Sequence, residues 1–279
     1  MSDIENGLAD GLARTPAPAA AISLRGVSLF SGAEAVFTDI TISVPVGSTS
    51  LVMGPSGSGK SALLKVAAGL IPPDSGTVTL LGSRLGTLAK PEERELRRRN
   101  GFVFQDAALW QNLTVYQNLA LPLQYHGVTE GATEVERRVR ALAGEFGMQR
   151  RIDLRPAQLS AGERKMVSFL RAIILDPEVL FLDEPTSFVD HQGAELIVRR
   201  LRELKNRGTT MVASTHSAKI SSQLADHLIV LDAGGVVAQG AFGDVVHAAD
   251  RRVKEILSDV LSETASYDTD ILDLLDPDG

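Results

Sequence analysis

Gly54-Pro55-Ser56-Gly57-Ser58-Gly59-Lys60-Ser61 is the stretch on which the reading of this chain turns. Two glycines five apart are followed by Lys-Ser, the spacing of a phosphate-binding loop. Ser50 to Met53 ahead of it reads as an apolar strand. A helix is predicted from Lys60 to about Leu70, stopped by Pro72 and Pro73. Glycines let backbone N–H groups turn inward around phosphate oxygens without side-chain clashes. A helix N-terminus adds partial positive charge. In such a cradle Lys60 neutralises the β- and γ-phosphates of ATP and the Ser61 hydroxyl ligates Mg2+. Gly57-x-Gly59-x-x-Ala62 also fits a dinucleotide fingerprint, but that motif needs an acidic residue ending a second strand, and Asp74 falls in a Pro-Asp-Ser-Gly turn.

A second signal lies at Val179-Leu180-Phe181-Leu182-Asp183-Glu184-Pro185. A continuous apolar strand is buried on both faces of a sheet. Carboxylates at its C-terminal end lie where open α/β sheets bind ligands. Asp183 is the expected Mg2+ ligand and Glu184 the expected base that polarises the attacking water. Read alone, Asp-Glu-Pro is equally a capped loop start; the P-loop tips the balance.

Further strands are predicted at Ile22–Leu24, Ile40–Val44, Thr77–Leu81, Gly101–Phe104, Thr210–Ser214 and His227–Leu231. The stretch from roughly 115 to 175 reads as helices without a strand. The expected fold is therefore α/β: a P-loop core with a mostly parallel sheet, an antiparallel β part near the N-terminus, and an inserted helical block. Residues 1–20 are rich in Ala, Pro and Gly and read as a flexible leader. The charged run Lys90 to Arg99 reads as a solvated helix, with Glu93 and Glu95 placed to pair with Arg97 and Arg99.

The chain has 279 residues, a net charge of −7 and no cysteine. Disulfides, thiolate metal sites and cysteine nucleophiles are excluded. The acidic balance argues against a nucleic-acid partner. No run approaches the roughly 18 apolar residues of a spanning helix, and the acidic N-terminus does not read as a signal peptide, so an intracellular protein is expected.

With Leu159-Ser160-Ala161-Gly162-Glu163 placed ahead of the Asp-Glu strand, the chain resembles the ABC ATPase family over about residues 22–245. That family's signature is usually Leu-Ser-Gly-Gly-Gln. The resemblance implies that Ser160 and Gly162 bind the γ-phosphate held by an opposite subunit. It makes Gln105 the Q-loop glutamine, contacting water and Mg2+, and His216 the switch histidine on the γ-phosphate. Ser187-Phe188-Val189-Asp190 is similar to the D-loop. A lone histidine at a strand end is more often structural; the ordered set of motifs reverses that reading. Phe30 stands where the family stacks an aromatic on adenine, and the residues leave a core role equally open. Ala161, Glu163 and Ser217 depart from the family pattern, which leaves slow or partner-dependent hydrolysis open.

One P-loop and one signature cannot complete such a site alone. The resemblance therefore implies a head-to-tail dimer, homodimeric or with a related subunit, driving integral-membrane permease subunits from the cytoplasmic face of the cytoplasmic membrane. Leu109, Trp110, Leu113, Val115, Tyr116 and Leu119 are the candidate permease contacts, with packing in the insert's own core as the other reading of most of them. The run Phe104 to Leu123, with Asp250-Arg251-Arg252-Val253, is most similar to the Mla-type ATPases that serve MCE lipid-transport complexes. That implies phospholipid cargo and an MCE-type lipid-binding protein. Lipoprotein-release ATPases, and a soluble ABC ATPase acting as an assembly factor, remain as alternatives.

The domain reading is a leader over 1–20, an ATPase domain over 21–248 with a helical insertion over about 106–175, and a C-terminal part over 249–279. In that last part Val253, Ile256, Leu257, Val260 and Leu261 mark an amphipathic helix, followed by an acidic tail carrying Ile271–Leu275. Either the helix docks on its own domain and the end is disordered, or the apolar tail segment clasps the second ATPase subunit or a small cytoplasmic regulator.

Overall fold

The computed structural model describes residues 20–128, 131–248 and 250–262. The leader expected over 1–20 lies outside them except for Ala20, which opens the first strand, and the Ile271–Leu275 segment also lies outside. Two long strands, β1 (Ala20–Ser31) and β2 (Glu34–Pro45), form a hairpin. β4 (Ser75–Leu80) and the short β5 (Ser83–Arg84) extend it into an antiparallel sheet in the order β2-β1-β4-β5. The second sheet takes β3 (Thr49–Met53), β6 (Asn100–Val103), β7 (Val179–Asp183), β8 (Thr210–Ser214), β9 (His227–Asp232) and β10 (Gly235–Ala241), in the order β10-β9-β3-β8-β7-β6. All its pairings are parallel except that of β10 with β9.

The period of two along each central strand divides the interior into two cores. Leu51 and Met53 of β3 face one, and Val52 faces the other; Leu180 and Leu182 of β7 oppose Val179 and Phe181 in the same way. The first core is closed by α3 (Val115–His126), α4 (Ala132–Glu145), α5 (Ala161–Ile173), α6 (His191–Asn206) and α7 (Ala218–Leu224). The second lies under the antiparallel sheet and α1 (Lys60–Ala67). Burying a large apolar side chain contributes about 1.5–3 kcal/mol, so strands buried on both faces form the rigid floor from which the loops project.

The inserted helices share the first core with the sheet. Val135 and Val139 of α4 belong to the same cluster as Leu51, and a Cβ on Gly101 of β6 would lie 2.2 Å from the Ala172 carbonyl of α5. Ion pairs Arg138–Asp176 and Arg200–Glu145 also fasten α4 to the body. After α8 (Phe242–Ala248), the last described helix, α9 (Arg251–Ser262), sends Val253 and Leu257 into this core, with Ile256 packed against it; the side chains of Val260 and Leu261, expected on the same face, lie outside what the structure describes.

Several expectations need correction. α1 ends at Ala67 rather than near Leu70, because Gly69 adopts a left-handed φ of 71° and Leu70 N–H caps the Lys65 carbonyl at 2.8 Å. The charged helix forms as α2 (Lys90–Arg98), and Glu93 pairs with Arg97 as expected. Glu95, however, takes Arg98, while Arg99 forks onto Glu178 at 2.7 and 2.8 Å. Arg99 lies past the helix end, where its side chain points across to the start of β7. The edge strand β10 escaped the sequence reading because its Gly-Val-Val-Ala-Gln-Gly run is half exposed and weakly patterned.

Candidate active site

The P-loop connects β3 to α1 and owes its path to two glycines. A Cβ at Gly54 would lie 2.1 Å from the Leu231 carbonyl, so the loop can pass β9 only without a side chain. Gly59 has a left-handed φ of 95° and initiates the helix. Ser58 is buried behind the loop and Pro55 turns its carbonyl, with that of Gly54, onto Lys60 Nζ at 2.8 and 2.7 Å.

The loop borders a cavity of about 360 Å3. Ser56, Gly57, Gly59, Lys60 and Ser61 line one wall; Gln105, Asp183, Glu184 and His216 line the others. The last four of those residues come from elements far apart in sequence, gathered because parallel strands all end at this edge of the sheet.

Asp183 is 1% exposed, and its Oδ1 accepts from Ser61 Oγ at 2.9 Å and Ser214 Oγ at 2.7 Å. Ser214 was missed from sequence; a hydroxyl closing an otherwise apolar strand was the available signal. Glu184 sits at a left-handed φ of 49°, strained for a non-glycine residue. Its N–H donates to the Ser214 carbonyl at 3.0 Å, and its own carbonyl accepts the Ser187 hydroxyl at 2.9 Å. Burial pushes its carboxyl above the ordinary range, opposed by His216 and reinforced by Asp183. His216 Nε2 lies 3.5 Å from Glu184 Oε1, and its backbone N–H approaches Oε2 at the same distance.

Mg2+ prefers oxygen donors, keeps several waters and is held by one or two carboxylates plus substrate phosphates. One buried carboxylate with the Ser61 hydroxyl and the Gln105 amide on the same cavity fits that preference. Among the described residues, no group of three or more His, Cys, Asp or Glu could form an all-protein metal cage.

Ser160 and Gly162 are not in this cavity. Ser160 caps α5: its Oγ accepts Glu163 N–H at 3.1 Å and Glu163 Oε2 accepts Ser160 N–H at 2.8 Å. Arg151 Nε bonds the other Glu163 oxygen at 2.7 Å and, with the Ser160 contacts, holds this carboxyl below the ordinary range. Gly162 packs so tightly on the D-loop that a Cβ would lie 2.7 Å from the Phe188 carbonyl. Phe30 is 45% exposed on the hairpin whose Val36 abuts Gly59. Asp190 and Ser217 each cap a helix, α6 and α7.

The ABC transporter family model matches residues 37–187, from the hairpin through the P-loop to the Asp-Glu strand. The chain belongs to the ABC transporter family. It is an ATP-binding, ATP-hydrolysing subunit of that family. Among its relatives, the arginine transport ATP-binding protein ArtP of Escherichia coli K12 is 35% identical over 223 residues, covering 78% of this chain and 91% of ArtP. The methionine import ATP-binding protein MetN 1 of Rhodococcus jostii is 39% identical over 206 residues, 74% of this chain but 60% of MetN 1. Among solved structures, the dimeric bacterial ABC transporter cassette MJ0796 superposes with a TM-score of 0.73 at 29% identity, covering 79% of this chain and 98% of the cassette. ABC ATPases of this kind work as dimers with membrane permease subunits. No helix among the described residues is long and apolar enough to cross a membrane.

Proposed function

We propose that two copies of this chain close head to tail on ATP and that their closing and opening drives a phospholipid permease from the cytoplasmic face of the cytoplasmic membrane. The observation that carries the dimer is a separation. The phosphate cradle, Asp183, Glu184, Gln105 and His216 share one cavity, while Ser160 and Gly162 stand at the N-terminus of α5 outside it. A helix N-terminus is a ready anion site, and the facing subunit brings it a γ-phosphate.

Within each site Lys60 and the P-loop N–H groups bind the phosphates, and Phe30 stacks on the adenine. Ser61, Asp183 and Gln105 would hold Mg2+, which when bound would supply positive charge against the phosphates. Glu184 takes the proton of the attacking water, and its raised pKa brings it nearer the working range of a general base. His216 holds the γ-phosphate and keeps the Glu184 carboxylate oriented.

Of the six candidate permease contacts, Leu109, Val115 and Leu119 are buried in the insert's core, Leu113 and Tyr116 are half-buried, and Trp110 is 58% exposed. Buried Asn118 clamps the Trp110 backbone at both its N–H (2.9 Å) and its carbonyl (3.1 Å). Trp110 is therefore the anchor for the permease, presented on a rigid support.

Lipid cargo and an MCE-type partner rest on the Phe104–Leu123 run and on Asp250–Val253. Amino-acid import is the second reading, favoured by the names of ArtP and MetN. Cargo contacts lie in other chains, so identity within the ATPase leaves both open. The acidic tail beyond α9 would recruit a small cytoplasmic regulator or the second ATPase; truncation after Leu261 with dimerisation, partner recovery and turnover unchanged would remove that role.

The test is to purify the tagged chain from detergent-solubilised membranes and identify co-purifying proteins and lipids by mass spectrometry. A polytopic permease with a single-span MCE-type protein and phospholipid supports the lipid reading. A permease with a solute-binding protein replaces it by amino-acid import. Soluble partners alone would overturn transport.

A further inference from the structure

Between β6 and α3 the chain runs through Phe104, Gln105, Asp106, Ala107 and Ala108 without regular structure. Ala107 and Ala108 both take left-handed φ values, 66° and 46°. For residues with a Cβ such a conformation costs on the order of 1 kcal/mol each, so something outside the loop must hold it. Two cations of α5 do so. Lys165 Nζ donates to the carbonyls of Phe104 at 2.8 Å and Gln105 at 2.6 Å, and Arg171 donates to the Ala107 carbonyl at 3.3 Å.

Lys165 is 1% exposed, and both of its described hydrogen bonds go to backbone carbonyls rather than to a carboxylate. Burying an ammonium on backbone carbonyls, with Asp183, Glu184 and Asp106 acting only through space, carries a large desolvation cost that a methionine filling the same space would avoid. Fold stability therefore does not account for a lysine here. Its two acceptors, however, are the peptide groups on either side of the Gln105 Cα, so Lys165 fixes where that side chain departs from the backbone. Gln105 lines the phosphate cavity. The same helix begins at Ser160, less than two turns from Lys165.

We propose that Lys165, assisted by Arg171, is a positioning residue that fixes Gln105 in its own cavity and couples it to the N-terminus of α5. The inference deepens the dimer reading and rests on it. α5 then acts as a rigid rod: a γ-phosphate seated on Ser160 and Gly162 moves Gln105 through Lys165, less than two turns along the same helix. Each subunit's cavity is thereby informed of ATP in the facing site. Lys165 does not touch the reacting atoms; it acts through the backbone of Gln105.

The experiment measures steady-state ATP turnover against ATP concentration for the full-length chain in its membrane-purified complex. The variants are Lys165→Met, Lys165→Arg and, as a control for the site itself, Glu184→Gln. Lys165→Met removes both donors and is expected to lower kcat by about 10- to 100-fold, as misplacement of a contact by an ångström does. ATP KM should stay within about threefold, and the loss of kcat should exceed what any fall in Tm from the two stranded carbonyls accounts for. Lys165→Arg keeps the donors and should recover most of kcat.

Wild-type kcat in Lys165→Met, or a loss that tracks a lowered Tm and is not rescued by Lys165→Arg, overturns the proposal. Should the methionine variant fail to fold, Lys165→Gln, which loses at least one of the two bonds, is read in the same assay; there too an unchanged kcat overturns it. Undiminished turnover in Glu184→Gln would instead overturn the underlying reading of the site.

Discussion

The Ser61 hydroxyl donates to Oδ1 of Asp183 across 2.9 Å, tying the first turn of the P-loop helix to the last residue of β7. Ser214 donates to the same oxygen from β8, so one buried carboxylate joins three elements at the cavity floor. Asp183→Ala strands the buried Ser214 hydroxyl and should lower stability by about 1–3 kcal/mol. Asp183→Asn keeps an acceptor, should retain most of the stability, and should still lose Mg2+-dependent turnover. Thermal unfolding with and without Mg-ATP, beside a turnover assay, separates the two effects.

Glu184→Gln should reduce ATP turnover by about 10²–10⁴. The same change should flatten part of the pH dependence of stability. Burial raises the folded-state pKa of Glu184 above its ordinary 4.5. The folded chain therefore binds that proton more tightly, and its contribution to stability is present below 4.5 and lost as pH rises through the folded value. A Tm series across this range should show the wild-type decline and its absence in the variant.

Glu163 has the opposite sign. Arg151 and the Ser160 contacts depress its pKa, so its contribution is present above 4.5 and is lost as pH falls through the lower folded value. Glu163→Gln keeps an acceptor for Ser160 N–H but loses the charge facing the half-exposed Arg151. The expected cost near neutral pH is about 0.5 kcal/mol, discounted for screening, closing to nothing in acid. Equilibrium unfolding at two pH values measures it.

Gly54→Ala places a Cβ 2.1 Å from the Leu231 carbonyl, a backbone atom of β9 that cannot swing aside. The P-loop must shift as a whole. Nucleotide binding, read by fluorescent ATP titration, should be lost, whereas Ala at Gly57, where nothing lies within 4 Å, should weaken it less.

Trp110→Ala alters a side chain that is 58% exposed and should leave stability unchanged to within about 0.5 kcal/mol. Recovery of the permease in the membrane purification should fall sharply. Asn118→Ala, which removes the buried support of the Trp110 backbone, should lower both Tm and recovery.

The features legible without coordinates share a physical cause: they are local. A glycine pattern, an apolar run ending in two acids and a Ser that caps a helix each specify backbone geometry within about one turn. The P-loop, the Asp183–Glu184 strand end and the α5 start were readable for that reason, and so were the parallel sheet and the helical block. Pairings across the fold were not. That Arg99 prefers Glu178 to Glu95, that Arg151 neutralises Glu163, and that Ser214 completes the Asp183 contacts depend on how distant elements dock. Exposure was equally hidden: Leu109 and Trp110 are neighbours, yet one joins the core and the other faces solvent. Lys165 is the extreme case. Sequence alone makes it one more helix cation, and only the seating of α5 against β6 buries its ammonium on the carbonyls of Phe104 and Gln105. Motif chemistry is written in short stretches of chain, whereas partners and burial are set by the packing of the whole.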